Sequence, residues 1–417
     1  MAEVRSKRRV VVSGLGIVSP FGGSLQDFHV RLVQGQSAAK LYHHPTSPTP
    51  LAQVAVTCSE FDPVTALGRP LAGICDRYSQ LGLAAAFSAW DDASLPREGE
   101  GRERYGVSWG TGAGALLTLE QGYAGFYLEG RERASPLSVV MGMSNAAASH
   151  IAIQLGLGAA CLTYSMACAS SAVSIGEAFR RIQAGDSDLI VAGGSEAPLS
   201  FSMMRAWEAM RVVAKGSEET AHGACRPFDA GRTGLVLAEG GAALVLEERE
   251  HALARGVRIY AEMVGYGQSC DHMHLAKPCP EGQVRALRGA LEEAGLAPDE
   301  IGYVNAHGTA TQEGDPAEIE ALRAVFGKHA LDVLVSSTKS MHGHALGAAG
   351  AIEALVTVMA LSYGEIPPTA HLEEVASECE GVAHVRTGLH GQTLRSALSS
   401  SFAFGGSNAV LAFRAAD

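Results

Sequence analysis

The sequence has few basic residues and few aromatic side chains. Its 417 residues include 32 Lys and Arg against 44 Asp and Glu, which gives a net charge of −12. A net negative charge argues against nucleic acid or an anionic membrane as the main partner, because both bind positive surfaces. Aromatic residues make up only 6% of the chain, whereas 49 positions are glycine. Such a composition suits helices packed closely on a sheet, and the length predicts a globular protein with two or three domain-sized units.

Closely spaced cysteine pairs and targeting segments are also missing. The eight cysteines are scattered and none forms a C-x-x-C pair, which is typical of reduced thiols in the cytoplasm. The basic N-terminus runs directly into a predicted strand, and no apolar signal core follows it. We also expect no apolar run to be long enough to span a bilayer. The sequence therefore predicts a cytoplasmic protein with no membrane partner.

Short β-branched runs alternate with alanine-rich helical segments along the whole chain. Strands are predicted at 9–16, 105–110, 188–194, 234–247, 257–265, 301–305 and 331–338, with two more in 394–414 around Gly405 and Gly406. Helices are predicted at 79–93, 135–157, 170–179, 281–295, 316–326 and 347–362, and a loop around Pro45, Pro48 and Pro50. This alternation favours mostly parallel sheets covered by helices.

Two pairs of short matches suggest an internal duplication. The segment 107–113 is similar to 304–310, and Ser165-Met166 has a counterpart in Ser340-Met341 before another glycine- and alanine-rich helix. Because the matches occur in the same order in both halves, we predict two similar halves.

A single cysteine stands in a run of small residues. Apolar residues follow Cys168 at helical spacing, at Ala172, Ile175 and Phe179. The run predicts a tight turn that leads into a helix, with Cys168 at the helix N-terminus. Unpaired N–H groups and the helix dipole stabilise a thiolate there, so Cys168 is a candidate nucleophile at neutral pH. A small buried thiol in the core explains the same pattern, and this run alone does not separate the two.

Three segments of the second half place unusual side chains next to glycine-rich turns. These side chains are His307, Lys339, His344 and Phe404. Each of them, and Glu353 in the following helix, is by itself more often an ordinary structural or surface residue. A cysteine with two histidines and a lysine, however, has a chemical use. The thiolate takes an acyl group as a thioester, and neutral imidazoles donate to the carbonyl oxygen of a second substrate, which suits decarboxylative carbon–carbon bond formation.

The chain resembles the β-ketoacyl-[acyl carrier protein] synthases of the elongating type, the condensing enzymes of fatty acid and polyketide synthesis. The resemblance runs nearly end to end, and all four of its motifs occur in the family's order, which makes it specific. The motifs are Ala-Cys-Ala-Ser (167–170), Asn-Ala-His-Gly-Thr-Ala-Thr (305–311), Lys-Ser-Met-x-Gly-His-x-Leu-Gly-Ala-Ala-Gly (339–350) and Phe-x-Phe-Gly-Gly (402–406). The resemblance implies a thiolase-like α/β fold, in which two duplicated halves, 1–252 and 253–417, form a five-layered α-β-α-β-α core.

The resemblance also implies a role for each motif residue. Cys168 carries the acyl chain, and His307 and His344 bind the malonyl thioester carbonyl and promote decarboxylation. Lys339 sets the electrostatics and position of the site, with Glu353 behind it. The remaining assignments are an oxyanion hole from the backbone N–H groups of Cys168 and Phe404, a gate to the acyl pocket from the Phe404 ring, contacts of Thr309 and Thr311 with the phosphopantetheine arm, and carrier protein docking at Arg211.

Several positions depart from the family pattern. In the expected acyl pocket, Ala113 stands where isoleucine is common, and Leu137 and Ser138 stand where an aromatic pair is common. These changes free volume and favour a longer, stiffer or unsaturated acyl chain, whereas Trp207 opposes them by replacing a smaller aromatic residue. Neutral repacking explains the same changes equally well.

Two histidine-rich positions are also unusual. His342 stands where the family often has threonine or valine, and we assign it no chemistry. Cys270, His272 and His274 near the expected entrance offer an alternative as a metal site. We nevertheless predict no metal and no resident cofactor, because the family's substrates arrive on the phosphopantetheine arm of acyl carrier protein.

Two other functions occur on the same fold. A thiolase uses two cysteines and coenzyme A, but the second half has no cysteine near the predicted site. A chain-length factor is a non-catalytic subunit that has lost the nucleophile, whereas Cys168, His307, Lys339 and His344 are all present here. We therefore predict an acyltransferase that works with acyl carrier protein, as a homodimer or as a heterodimer with a chain-length-factor-like subunit. Fatty acid and polyketide or polyene pathways both stay open.

Overall fold

The computed structural model describes residues 7–45 and 49–416. The strands are β1 (Val10–Val18), β2 (Lys40–His43), β3 (Ala52–Val56), β4 (Tyr105–Gly110), β5 (Cys161–Tyr164), β6 (Leu189–Glu196), β7 (Leu237–Ala238), β8 (Gly240–Glu248), β9 (Ala261–Cys270), β10 (Tyr303–Asn305), β11 (Leu334–Ser336), β12 (Ala383–His384), β13 (Ser396–Phe402) and β14 (Ser407–Ala415). The α-helices are α1 (Leu25–Val33), α2 (Pro63–Leu67), α3 (Arg69–Ala72), α4 (Arg77–Asp92), α5 (Leu116–Tyr127), α6 (Ser138–Gly142), α7 (Ala146–Leu155), α8 (Ser170–Ala184), α9 (Phe201–Met210), α10 (Arg249–Arg255), α11 (Pro280–Ala294), α12 (Gly314–Phe326), α13 (Lys339–His342) and α14 (Ala349–Tyr363). Short 3-10 helices lie at Ala221–Gly223, Pro298–Glu300, Gly327–His329, Leu346–Ala348, Ser377–Cys379 and Phe404–Gly406.

The local sequence explains several helix boundaries. The side chain of Asp76 caps α4 by accepting the N–H of Tyr78, and Ser200 caps α9 in the same way. Gly185 and Gly364 end α8 and α14 in the left-handed conformation that glycine adopts without strain. The two glycine caps determine the residues at which the central helices α8 and α14 end.

The strands form two half-sheets with the same topology. The first half has the order β1-β8-β6-β4-β5, and the second half repeats it as β9-β14-β13-β10-β11, with β12 added at its edge. In both halves the first two pairings are antiparallel and the last two are parallel. A short antiparallel pairing of β1 with β9 joins them into one sheet of eleven strands. The strands β2, β3 and β7 form a separate small sheet.

The helices complete five layers. The central helices α8 and α14 pack on each other and on strands of both half-sheets. Outside, α4 and α7 cover the first half-sheet, whereas α11 covers the second with α12 beside it. The expected duplicated, five-layered α-β-α-β-α fold is therefore confirmed. The matched segments of the two halves occupy equivalent positions, because β4 corresponds to β10, and the turn before α8 corresponds to the connection before α14, in which Ser340-Met341 lies in the short helix α13.

The structure corrects four expectations. The large sheet is mixed, because each half adds its last strand, β8 or β14, antiparallel to its neighbours. The single helix expected at 135–157 is two helices, and α6 lies on the surface. An apolar run long enough to span a membrane does exist, Leu346–Tyr363, but 89% of it is buried in the protein as the central helix. β9 begins at Ala261 rather than at 257, because β1 pairs with it only from that residue.

The structure does not test two predicted features, the boundary between the halves and part of the proline loop. The predicted boundary between 252 and 253 falls inside α10, which connects the two halves, and it stays a prediction. Residues 46–48 of the predicted proline loop, together with 1–6 and 417, lie outside the described residues.

Candidate active site

The Cys168 turn joins β5 to α8 at the centre of the molecule. Ala167 has a φ of +47°, in the left-handed region that alanine rarely adopts. Ser170 holds this turn, since its Oγ accepts the N–H of Met166 at 2.8 Å and donates to the carbonyl of Ala167 at 2.7 Å. Cys168 follows immediately, two residues before α8 begins, and is 7% exposed. The predicted tight turn at a helix N-terminus is thus confirmed.

His307 follows β10 and is fixed through its backbone. The N–H groups of His307 and Gly308 each donate to a carboxylate oxygen of Glu318 at 2.7 Å. Gly308 has a φ of +25°, and a Cβ there would lie 2.6 Å from the Cβ of Ser337. Only glycine fits this position, so the backbone around the imidazole has one arrangement.

The connection between β11 and α14 supplies Lys339 and His344. Gly343 has a φ of +69°, and a Cβ there would lie 2.9 Å from the Cβ of Ala238. The N–H of His344 donates to the carbonyl of Val236 at 2.7 Å, and its carbonyl accepts the N–H of Ala238 at 3.0 Å. These two backbone bonds hold His344 against β7 and the residue before it.

Cys168, His307 and His344 converge from both halves of the protein. The Sγ atom and one ring nitrogen of each histidine all lie within 4.8 Å of one another. The Nε2 of His344 is 3.1 Å from Sγ, and the two imidazole planes meet at 86° with 5.4 Å between their centroids. No described residue hydrogen-bonds to Nδ1 of His344, so both tautomers are open to this ring.

Lys339 lies fully buried beside this group and fixes the tautomer of His307. Its Nζ donates to the carbonyl of His307 at 2.6 Å, lies 3.3 Å from Nδ1 of the same residue, and contacts the fully buried carboxylate of Glu353. An ammonium group cannot accept a hydrogen bond, so Nδ1 must accept from it. The proton of the neutral ring is therefore on Nε2, where it can be donated to a substrate.

Burial controls the protonation of the site. It raises the pKa of Cys168 to about 12, although the Lys339 charge and the N–H of Phe404 act in the opposite direction. The expected standing thiolate is therefore absent, and Cys168 rests as a thiol. Burial, followed by the charge of Lys339, holds the pKa values of His307 and His344 well below their usual range. Both histidines are neutral at physiological pH, which is the form that the proposed carbonyl binding needs.

The glycine-rich turn after β13 covers the cysteine. The backbone N–H of Phe404 is close enough to Cys168 to lower the pKa of its thiol against the larger effect of burial, and Gly405 and Gly406 follow with φ values of +83° and +73°. The ring of Phe404 is stacked on that of Trp207, with the centroids 5.8 Å apart and the planes at 21°. Two of the predicted residues thus form one aromatic pair beside the nucleophile.

A cavity of about 420 Å³ connects this group to the surface. Its lining includes Thr309 and Thr311, whose hydroxyl groups are 3.0 Å apart. Arg211 and Lys277 are exposed at its mouth. Cys168, His307, His344 and Trp207 line the same cavity.

The similarity to known proteins decides the family. The model of the beta-ketoacyl synthase N-terminal domain matches residues 7–252, and that of the C-terminal domain matches residues 260–373. The chain belongs to the β-ketoacyl synthase family.

Similar proteins align with the synthase over nearly its whole length. It is 38% identical to 3-oxoacyl-[acyl-carrier-protein] synthase 2 of Synechocystis sp. over 98% of both chains. It is 39% identical to nodulation protein E of Rhizobium sp. over 98% of this chain and 99% of the relative. A crystal structure of a β-ketoacyl synthase from Burkholderia phymatum superposes with a TM-score of 0.90 at 32% identity, covering 98% of this chain and all of the other. The structure of the ishigamide ketosynthase and its chain length factor gives 0.89 at 30% identity, over 99% of this chain and all of the other.

Three residues predicted for the acyl pocket of the synthase lie elsewhere than the cavity. Ala113 is in the loop between β4 and α5, where its N–H donates to Glu196 at 3.1 Å. Leu137 is 38% exposed, and Ser138 begins the surface helix α6. None of these three residues is among the described residues that line the cavity at Cys168. Their assignment to the acyl pocket stays a prediction.

His342 is a structural residue. It is 2% exposed, its Nδ1 lies 2.9 Å from the carbonyl of Gly343, and its Nε2 lies 3.0 Å from Oγ1 of Thr338. Because a carbonyl only accepts, Nδ1 carries the proton and Nε2 accepts from the hydroxyl. Burial and the Lys339 charge lower its pKa to about 3, so the ring stays neutral.

The alternative metal site is not assembled. Among the described residues, Cys270, His272 and His274 do not form a ligand group, and Nδ1 of His274 accepts two backbone N–H groups of its own loop. One group in the described chain has three candidate ligands, and it is the Cys–His–His group of the active site. The ammonium group of Lys339 beside it opposes the binding of a cation.

Two buried carboxylates organise the site and were not singled out from the sequence. Glu318 holds the backbone of His307, and burial raises its pKa to about 7. Glu196 accepts the N–H groups of Gly112, Ala113 and Gly347, and so ties the β4–α5 loop to the start of the central helix. Glu196 lies two residues after the buried strand predicted at 188–194 and is the last residue of β6, and an acid at the end of a buried strand was the available signal. Glu318 looks like an ordinary acid in the first half of a helix.

Proposed function

We propose that this synthase joins an acyl group, held as a thioester on Cys168, to malonyl-[acyl carrier protein] with loss of CO₂. The observation that carries the proposal is the meeting of Cys168, His307 and His344 at one end of a cavity open to the surface. A thiol with two neutral imidazoles supplies a nucleophile and two carbonyl ligands, and it contains no strong base. Decarboxylation provides the carbanion equivalent, so a strong base is unnecessary.

The first step loads the acyl chain. Sγ of Cys168 attacks the thioester carbonyl, and its proton passes through Nε2 of His344, 3.1 Å away, to the sulfur of the leaving pantetheine. The N–H of Phe404, which acts on the Cys168 thiol, donates to the developing oxyanion together with the N–H of Cys168. One thioester is broken and one is formed.

The second step forms the carbon–carbon bond. The malonyl carbonyl oxygen accepts from Nε2–H of His307, which Lys339 fixes, and from His344 in its Nε2–H tautomer. As CO₂ leaves, the electron pair moves into an enolate that both imidazoles stabilise. The enolate carbon then attacks the acyl carbonyl on Cys168, the carbon–sulfur bond breaks, and Sγ leaves as a thiolate. This thiolate takes up one proton from solvent through the open cavity, which returns Cys168 to the thiol. The chemistry requires no resident metal or cofactor, since CO₂ loss drives it.

The carrier protein is proposed to dock at the cavity mouth. Arg211 and Lys277 place two positive charges there, which suit the phosphodiester of the pantetheine arm, and Thr309 and Thr311 lie further in. Arg211→Glu is expected to raise KM for carrier-bound donors while leaving a free pantetheine thioester within about twofold. An equal rise in KM for the carrier-bound donor and the free pantetheine thioester would contradict docking at Arg211.

A second subunit is proposed to cover the face made by α5, α6 and α7. Ten of the nineteen large apolar residues exposed in the described chain lie between 119 and 153. The edge strand β5 lies in the same half, and an exposed edge beside an apolar patch is typical of an interface. A second copy and a chain-length-factor-like partner both satisfy this geometry, and the ishigamide structure supports the latter. Leu137 and Ser138 would then border the acyl pocket between subunits.

The acyl chain and the pathway are a separate part of the proposal. Fatty acid and polyketide or polyene synthesis both use this condensation, and we expect a protein of the cytoplasm in either case. If Ala113 borders the acyl pocket, Ala113→Ile shortens the longest acyl chain accepted, because the larger side chain fills its end. An unchanged chain-length profile would remove Ala113 from the pocket.

The direct test is the intact mass of the protein after incubation with a panel of acyl-carrier proteins. We expect one acyl adduct on the wild type and none on Cys168→Ala. Cys161→Ala is the matched control, because Cys161 is an exposed thiol outside the cavity, and it should keep the adduct. An adduct on Cys168→Ala would overturn the nucleophile assignment.

A further inference from the structure

The three tryptophans of the chain differ in how their indole N–H groups are used. Trp90 donates to the carbonyl of Pro96 at 2.9 Å, and Trp109 donates to Oγ of Ser195 at 3.0 Å. Trp207 is 91% buried, and its Nε1 finds no acceptor among the described residues. A buried donor without an acceptor is costly, so this N–H needs an explanation.

The position of Trp207 provides one. It lies on α9 and lines the same cavity as Cys168, Thr309 and Thr311. Ala113, which is also predicted for the acyl pocket, does not line this cavity, whereas the proposed arm contacts Thr309 and Thr311 line it together with Trp207. Trp207 therefore borders the space that the carrier's arm is proposed to enter. A pantetheine arm presents two amide carbonyl groups, which are acceptors of the right kind for an indole N–H.

Trp207 also contacts the turn above the nucleophile. Its ring is stacked on Phe404, whose N–H acts on the Cys168 thiol. Because Nε1 is covered by protein atoms, it reaches an acceptor in the cavity only when a neighbouring group moves. The turn after Phe404 consists of Gly405 and Gly406, both at positive φ, so no side chain resists such a movement there.

We propose that Trp207 is a second anchor for the pantetheine arm, besides Thr309 and Thr311. Its ring packs on Phe404, and its indole N–H donates to an amide carbonyl of the arm when the arm binds. The inference rests on the proposed function, because it requires a carrier-borne thioester as substrate. Arm binding thereby relieves an unsatisfied donor, and amide-free thioesters gain nothing from it.

The experiment compares two donors that carry the same acyl group. One is the acyl-pantetheine thioester, and the other is a simple alkyl thioester without an amide. In Trp207→Phe, which keeps a ring for stacking and removes the N–H, we expect KM for the pantetheine donor to rise about fivefold. We expect kcat/KM for the alkyl thioester to stay within about twofold. Replacement of Trp207 by benzothienylalanine, which has the same ring area without the N–H, should give the same result.

Matched controls separate this inference from a fold defect. Trp90→Phe and Trp109→Phe each remove an indole N–H that is satisfied inside the protein, and neither should change the ratio between the two donors. An equal loss for both donors in the Trp207 variants would show that Trp207 only supports Phe404, and no loss for either would show that its N–H is unused. Both results overturn the proposal. Failure of the wild type to form an adduct with either donor would instead count against the proposed function itself.

Discussion

The buried ammonium group of Lys339 contacts both His307, a catalytic residue, and the carboxylate of Glu353. Removing it leaves the Glu353 carboxylate buried without a partner, and a broken buried pair costs about 3–5 kcal/mol. We expect Lys339→Met to lower the free energy of unfolding by about 3 kcal/mol at pH 8. Burial raises the pKa of Glu353, so this carboxylate becomes protonated at lower pH and the loss should be smaller at pH 5.5. Urea denaturation at both pH values measures this loss in the free energy of unfolding.

The double variant Lys339→Met/Glu353→Gln separates stability from catalysis. It removes both charges, so most of the lost stability should return. Decarboxylation of malonyl-carrier should stay low, because Nδ1 of His307 has lost the donor that fixes its tautomer. Full recovery of activity in the double variant would show that Lys339 acts only through Glu353.

His342 makes the stability of the protein depend on pH. Its pKa is about 3 in the folded state against the ordinary 6.5, so between these values the unfolded chain holds a proton that the folded protein lacks. Stability therefore falls as the pH drops below 6.5, by about 1.4 kcal/mol per pH unit for this residue. His342→Thr should reduce that slope between pH 6.5 and 5, as measured by urea denaturation.

The control for this slope is His43→Thr, at an exposed histidine on the small sheet. Other buried histidines contribute to the total, so the comparison is between the slopes of the variants and the wild type. An identical slope in His342→Thr would mean that the unfolded and folded proteins bind the same number of protons at this position.

At the scale of elements, the contact between α8 and α14 determines where Cys168 lies. A Cβ at Gly350 would stand 2.8 Å from both the Cβ and the backbone N of Ala172, four residues after the nucleophile. Backbone atoms of a packed helix cannot yield, so Gly350→Ala should cost about 1–3 kcal/mol and slow acylation by displacing the Cys168 turn. Thermal unfolding and single-turnover acylation measure the two effects.

The matched control is Gly289→Ala in the outer helix α11. A Cβ there would meet its nearest neighbour at an ordinary 3.5 Å, so alanine should raise stability by about 1 kcal/mol through helix propensity. Acylation should be unchanged, because a Cβ at Gly289 would meet only the Cα of Gly267 in β9. If both variants behaved alike, close packing at Gly350 would not be the cause.

Elements were predictable where the cause is local. The periods of α4, α11 and α14 and the runs of β1 and β6 gave their positions to within a few residues. The direction of β8 and β14 was not predictable, because no residue in either strand distinguishes a parallel from an antiparallel neighbour. Likewise, the catalytic residues were predictable because they lie in sequence motifs. The role of Glu318 was not, because it depends on a backbone contact with His307 that the sequence does not reveal.

At the scale of the whole molecule, the sequence also does not reveal which apolar residues stay outside. The apolar composition of 135–157 predicted a buried helix, yet Val139 is 76% exposed on α6 and Ile153 is 70% exposed on α7. An exposed apolar face of this kind is typical of an interaction site, which is why we propose that another subunit covers it. The buried run Leu346–Tyr363 shows the opposite case, in which apolar composition does mark the core.

Val139→Glu tests whether a subunit covers this face. We expect the wild type to sediment at twice the mass of one chain, and the variant to sediment as a monomer with slower acylation, because a charge cannot be buried there without a partner. Leu331→Glu, at a residue 68% exposed outside this patch, is the matched control and should stay dimeric. A wild type that is monomeric but fully active would contradict the interface. A wild type that is monomeric and inactive alone, and gains activity with a chain-length-factor-like subunit, would show that the covering subunit is a different chain.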